Sequence, residues 1–264
     1  EHVSVQPTLL QDGRIVYQPT LFALRKDAVQ SSVTLKKSSG KAKIYRLDWT
    51  ESQPLDVDLG TLDYRLIQED GLTYVSLRSL VSGTYDNMLA RYAREGAKAR
   101  GSKAVIYDLR GNVGGSDSWP RKWIQSFLGT QNSIETSMLY AQKNSALFAA
   151  ENSESLLPED EGTCFAREVH GTWYENDIPI IVLVDDHCGS SGEGAVQLLK
   201  TLDNVLIDGS NTAGYQLCGN ISTFTLPYTG IGVRFGSTLF LYGDGDNVDH
   251  RGYAPDVWCD PQDA

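Results

Sequence analysis

No run of apolar residues in this chain comes near the ~18–20 that a membrane-spanning helix needs. The stretch "IPIIVLV" is far too short. Basic residues are in the minority: 23 Lys and Arg stand against 34 Asp and Glu, a formal net charge of −11. A nucleic-acid partner calls for a basic face, so nucleic acid is not expected, and anionic membrane surfaces are disfavoured for the same reason. Cysteine is scarce: Cys164, Cys188, Cys218 and Cys259. No two of them have the close spacing of a zinc or redox site. Four scattered cysteines leave two readings open: two disulfides in an exported protein, or four buried thiols in a cytosolic one. Thirteen Tyr, five Trp and only two Met sit with the exported reading. No signal-peptide pattern opens the sequence, and residue 1 is Glu, so a trimmed or processed piece is expected. No internal repeat and no low-complexity linker divides the chain.

What is present fits a globular protein. At 264 residues, with 41% apolar and 22% charged residues, one large domain with a small appendage is the default. Residues 1–63 read as a β-rich segment, made of short alternating runs such as "RIVYQPTLFALRK" and "SSVTLKKSSGKAKIYRLDW". From residue 64 onward the pattern changes. "LTYVSLRSL" predicts a strand, and "YDNMLARYAREGAKARG" a helix with Gly101 as its stop. "AVIYDL" predicts a buried strand, and "SWPRKWIQSFLG" a helix with Pro120 in its first turn. Residues 130–178 read as polar and irregular, with a helix around "SALFAAENSESLL". "IPIIVLV", "GEGAVQLLKTL" and "NVLIDG" then predict strand, helix and strand, and the tail alternates strands and turns. Strand–helix–strand alternation through the middle predicts an α/β core.

Two glycine-rich turns carry the candidate chemistry. In "VDDHCGSSGEGAV" a strand ends, serines stand among glycines, and a helix begins. One reading is a capped helix, with Ser190 or Ser191 as the cap and Glu193 completing a capping box. The other is a nucleophile: a serine held at a helix N-terminus, where free N–H groups stabilise an oxyanion. The second turn, "DLRGNVGG", also ends a buried strand and precedes a helix. Two such turns at two strand ends of one sheet could face a common crevice, where α/β sheets bind ligands.

"VIYDLRGNVGGSDS" resembles the "DLRGNGGG" signature of the tail-specific, or carboxyl-terminal processing, serine proteases. "IVLVDDHCGSSGEGAVQLLKTLDNVLIDGSNTAGYQ" is similar to their nucleophile segment. "DHRGYAPDVW" resembles their closing element, and "YRLIQEDGLTYVSLRSL" the strand pair that opens their core. The likeness runs in order over roughly residues 64–258. It implies an α/β, crotonase-like (ClpP/crotonase) ββα core over residues 64–264, with a small N-terminal β-rich subdomain. It also implies cleavage of peptide bonds in a polypeptide substrate, near protein C-termini. The same family holds catalytically silent binding modules.

Carried over residue by residue, the resemblance makes Ser190 the nucleophile. Ser191 supplies one oxyanion N–H, and Gly114 or Gly115 the other. Glu193 stands at the family's "SASE" glutamate. Many members carry a lysine base where this chain has Tyr215, and a phenol of pKa ~10 is a poor base at neutral pH. The tricorn-like branch uses a histidine and a carboxylate instead, which implies His2 as base and Asp249 as the acid that orients it. His250 follows Asp249 and could exchange roles with it. The usual peptide-binding (PDZ) module has no room in residues 8–62. A bridge from Cys188 to Cys164 or Cys218 would stiffen the serine turn. "GDGDNVDHRG" misses the EF-hand spacing, so no metal is expected, and no cofactor. The expectation is therefore an exported serine endopeptidase, with a silent peptide- or apolar-ligand-binding module as the alternative.

Overall fold

The structure is a computed structural model. It describes residues 2–9, 14–22, 32–36, 39–46, 64–83, 85–145, 162–242 and 248–259. The helix expected around residues 145–157 lies outside the described residues, except at its first position.

Among the described residues, the first four strands pair as two hairpins. β1 (His2–Leu9) runs antiparallel to β2 (Ile15–Phe22), and β3 (Ser32–Lys36) to β4 (Ala42–Arg46). The main sheet follows: β5 (Tyr64–Glu69), β6 (Leu72–Leu77), β7 (Ala104–Asp108), β10 (Ile180–Val184), β11 (Val205–Gly209) and β14 (Val257–Trp258). Its order is β14-β11-β10-β7-β6-β5. All pairs are parallel except the β5–β6 hairpin. Helix α1 (Asp86–Ala99) connects β6 to β7, and α3 (Ser191–Leu199) connects β10 to β11. Helix α2 (Ser118–Leu128) follows β7.

The helices form where the sequence signals them. Asp86 Oδ1 accepts the Gly83 N–H at 2.8 Å ahead of α1. Gly129 takes a left-handed conformation at the end of α2, and its N–H returns to the Gln125 carbonyl. The core lies between the helices and one face of the sheet. Val105, Tyr107, Ile180, Val182 and Val184 point into it from the strands, and Leu89, Tyr92, Trp123, Phe127 and Leu198 from the helices. Tyr107 meets Trp123 edge-on at 4.8 Å, and Trp123 stacks on Phe127 at 5.3 Å. Gly96 lets α1 and α2 touch, since a Cβ there would stand 2.3 Å from the Trp123 carbonyl oxygen. β10 alternates buried and half-buried residues instead of being buried on both faces.

Residues 130–178 are less irregular than their polarity suggests. They supply β8 (Met138–Lys143) and β9 (Cys164–Val169) to an antiparallel sheet with β12 (Cys218–Thr225) and β13 (Gly232–Tyr242), in the order β12-β13-β8-β9. β9 is solvent-exposed over most of its length, Phe165 included, so its apolar residues do not mark a buried face.

The disulfide expectation is corrected here. All four cysteines are free thiols. Cys164 and Cys218 sit on the two outer strands of the four-stranded sheet, ~14 Å apart at three strand spacings, and cannot bridge. Cys188 is wholly buried, and burial pushes its thiol far up.

Candidate active site

β7 and β10 are neighbours in the sheet, so the turns that follow them meet. Asp108 closes β7 as a fully buried carboxylate, held by Arg110 at 3.0 Å and the Tyr74 hydroxyl at 2.7 Å. Burial pushes its carboxyl up, but Arg110, Tyr74 and Arg78 outweigh this and hold it below the usual range. Beyond it the two turns are stitched together. Gly189 N donates to the Asn112 carbonyl at 2.9 Å, and Gly111 N to Asp185 Oδ1 at 2.8 Å. The Ser191 hydroxyl donates to the Gly115 carbonyl at 2.9 Å. Asn112 is buried and ties the turn to β6 through the Leu77 carbonyl at 2.7 Å. Gly114 permits this approach: a Cβ there would stand 2.7 Å from the Ser190 Cβ, and its φ is +99°.

Ser190 itself has φ 54° and ψ −123°. A non-glycine residue there costs on the order of 1–3 kcal/mol and persists only where its surroundings impose it. Glu193 is a large part of that imposition. Its carboxylate is fully buried and accepts from Ser190 N at 3.1 Å, Thr212 Oγ1 at 2.6 Å, and the Gly214 and Tyr215 amides at 2.8 Å each. Burial pushes its carboxyl up, and the four donors pull against that shift. Ser190 and Glu193 form the expected capping box, and the other three bonds of Glu193 pin the loop at residues 212–215.

That loop reaches the closing turn. His250 N donates to the Gly214 carbonyl at 3.0 Å, and Tyr253 N to Thr212 Oγ1 at 2.7 Å. Asp249 lies in this turn, half-buried, with His250 Nε2 at 3.4 Å from its carboxylate. The His250 side chain is 88% exposed. His187 pairs with Asp186 at 2.7 Å, and His170 is exposed. The backbone of His2 pairs with Phe22 in β1, but its side chain lies outside the described residues.

A cavity of about 260 Å³ opens beside Ser190, lined also by Gly115, Asp117, Ser191, Tyr215, Gln216 and Tyr242 among others. No described histidine lines it, nor does Asp249. Among the oxyanion candidates, the Gly114 N–H is spent on Asn112 Oδ1 at 2.9 Å. The Gly115 and Ser191 amides have no such partner among the described residues. Tyr215 is 65% exposed, and its ring lies against Gly189. Asn112 and Asp117 are among the residues of the site that were not singled out from sequence. Both stand in the quoted glycine segment, which was the only signal for them. As for metals, the donor atoms of Asp185, Asp186 and His187 lie within 4.8 Å of one another. Asp185 Oδ1 already accepts the Gly111 and His187 amides. The Asp- and Gly-rich stretch at residues 243–247 lies outside the described residues.

Fold and site together define a class: an α/β protein with a strained serine on a strand–turn–helix, faced by a second glycine turn across a small polar cavity. The chain belongs to peptidase family S41, whose family model matches residues 71–258. No curated protein matches the sequence. Among solved structures it is similar to a putative S41 protease from Bacteroides fragilis NCTC 9343, at 13% identity over 88% of this chain and 59% of that one, with TM-score 0.50. It is also similar to a putative peptidase from Parabacteroides merdae ATCC 43184 (22% identity, 75% of this chain, 56% of that one, TM-score 0.47). A third is a photosystem II D1 C-terminal processing protease (17% identity, 85% and 53%, TM-score 0.49). The chain spans between 53% and 59% of the length of these three.

Proposed function

We propose that the chain is a serine endopeptidase that works through an acyl-enzyme at Ser190. The observation that carries this is the conformation of Ser190, held at φ 54° at the mouth of a cavity, beside amides of Ser191 and Gly115 that have no partner among the described residues. In the first step the Ser190 oxygen bonds to the scissile carbonyl carbon. Its proton passes to the base, and the carbonyl oxygen becomes an anion held by the Ser191 and Gly115 N–H groups. The carbon–nitrogen bond then breaks as the base returns the proton to the leaving amine. Water repeats the sequence to free the acid and Ser190.

The base in this reading is His2, oriented by Asp249, with the N-terminal β-rich segment (residues 1–63) delivering it to a crotonase-like core over residues 64–264. Asp249 sits in the turn that packs on Gly214, one hydrogen bond beyond the Glu193 hub. The substrate is a polypeptide, and the protein is exported. A silent peptide- or apolar-ligand-binding module is the second reading, favoured by Tyr215 standing where a lysine base is common in the family.

Peptide hydrolysis tests the two readings. The protein should cut a mixture of unstructured peptides, Ser190→Ala should abolish the cuts, and His2→Ala should slow them by at least about a hundredfold. Cuts that persist in folded Ser190→Ala would end the proposal. Binding of peptides without hydrolysis would favour the silent module.

A further inference from the structure

β12 and β13 continue past the sheet they belong to. β8 pairs with β13 only over Thr238–Tyr242, so residues 232–237 of β13 have β12 as their one strand partner among the described residues. At ~3.3 Å per residue this leaves ~20 Å of two-stranded ribbon. Residues 223–236 are all exposed. A lone two-stranded ribbon is marginal in water, and an uncovered one exposes whatever apolar residues it carries.

This ribbon is amphipathic. Residues directly opposite one another share a face, and successive residues alternate. Phe224 stands opposite Val233 and Ser222 opposite Phe235, and the Leu226 N–H donates to the Ile231 carbonyl at 2.9 Å where the strands turn. Phe224, Leu226, Ile231, Val233 and Phe235 therefore fall on one face. Thr223 opposite Arg234, and Thr225 opposite Gly232, form the other. Such alternation marks a ribbon with one face to bury. Here that face is open: Phe224 is 48% exposed and Ile231 58%, and Tyr228 at the tip is fully exposed. Exposed strand edges are usually guarded by charge, yet Arg234 is the one charged residue between Leu217 and Tyr242.

We propose that this arm is the contact for a second copy of the chain, two arms packing apolar face to apolar face about a twofold axis. The area fits. The exposed parts of Phe224, Leu226, Tyr228, Ile231, Val233 and Phe235 come to on the order of 600 Å² per copy, against ~800 Å² per partner in a standard interface, of which ~65% is apolar in homodimers. The charge fits too. Each chain carries a formal net charge of −11, so two bodies in direct contact repel. An uncharged contact on an arm ~20 Å long sets the bodies apart by more than twice the ~8 Å Debye length of physiological salt. An anionic membrane would need cations beside the apolar face, and Arg234 falls on the other one. A twofold contact closes at two copies and builds no filament. None of this depends on the peptidase reading.

Sedimentation equilibrium tests this. At about 100 μM the protein should show twice the 29.1 kDa mass of one chain. Phe224→Asp and Val233→Asp, on the apolar face, should each raise the dissociation constant at least about thirtyfold, the size of an interface hot spot. Thr225→Asp, on the opposite face of the same strand, should leave it within about threefold. The mass of a single chain at that concentration overturns the proposal. So does a Thr225→Asp effect as large as that of Phe224→Asp, or a folded Phe224→Asp that associates undiminished. If the Asp variants do not fold, hydrogen exchange on the unmodified protein decides. Exchange over residues 221–236 should slow as the concentration rises from about 1 to about 100 μM. A dimer with unchanged exchange there uses another surface and overturns the proposal. A single-chain mass together with binding to phosphatidylcholine vesicles overturns it in favour of a membrane contact.

Discussion

Replacing Glu193 by Gln preserves shape and removes one acceptor oxygen from the centre of the site. In the native protein Oε1 accepts from Thr212 Oγ1 and Gly214 N, and Oε2 from Ser190 N and Tyr215 N. The new amide nitrogen is a donor wherever it points. Turned to the Oε2 position it faces two backbone N–H groups. Turned to the Oε1 position it faces one N–H and a hydroxyl that can rotate, so this orientation is the less costly. It still loses the Gly214 bond outright. A bond to a charged acceptor contributes ~1.5–3 kcal/mol, and removing the buried charge returns part of that, so the net loss should be about 2 kcal/mol. With a urea m-value on the order of 3 kcal/mol/M for a chain of this size, the midpoint should fall by about 0.7 M at constant m. The same change frees the Gly214 end of the loop and loosens the frame around Ser190, so fluorophosphonate labelling should slow in parallel. A midpoint that moves by less than about 0.2 M would refute the view that Glu193 holds these loops together.

Two further outcomes follow from the same geometry. Gly114→Ala places a Cβ 2.7 Å from the Ser190 Cβ at a φ of +99°, so Ser190 labelling should drop at least about tenfold, with a stability loss of about 1–3 kcal/mol. Labelling kept within about twofold would contradict the close approach of the two turns. For pH, the folded Asp108 carboxyl is held below its ordinary value, so its contribution is present above the unfolded pKa and lost as pH falls through the folded one. The urea midpoint of the native protein should exceed that of Asp108→Asn by a constant amount above about pH 5, and the gap should close below about pH 4. A gap that stays constant to pH 2 would contradict it.

What the sequence revealed was mostly local. Both glycine turns, the flanking strands and helices, and the pairing of Ser190 with a glutamate three residues on are all short-range features. Strand–turn–helix patterning exposes them directly. The remaining three bonds of Glu193 run to residues 212–215, some twenty positions away, and no local pattern signals them. β8 and β9 stayed hidden for a different reason. The apolar residues of "MLYAQK" and "CFAREV" do not track burial: Leu139 and Phe165 face solvent while Gln142 is buried. The disulfide reading failed because it depended on which strands lie side by side. Composition carries no information about that. Asp117 sat in plain view after the glycines, but only its orphaned oxygen distinguishes it from an ordinary cap residue before a helix.

The central claim is that Ser190 is a nucleophile. Reacting the folded protein with a fluorophosphonate and mapping the adduct by peptide mass spectrometry tests it most directly. The account predicts one adduct, on Ser190 and not on Ser191, lost in Ser190→Ala. An adduct on a different serine, or no adduct on any serine of a folded sample, would contradict it.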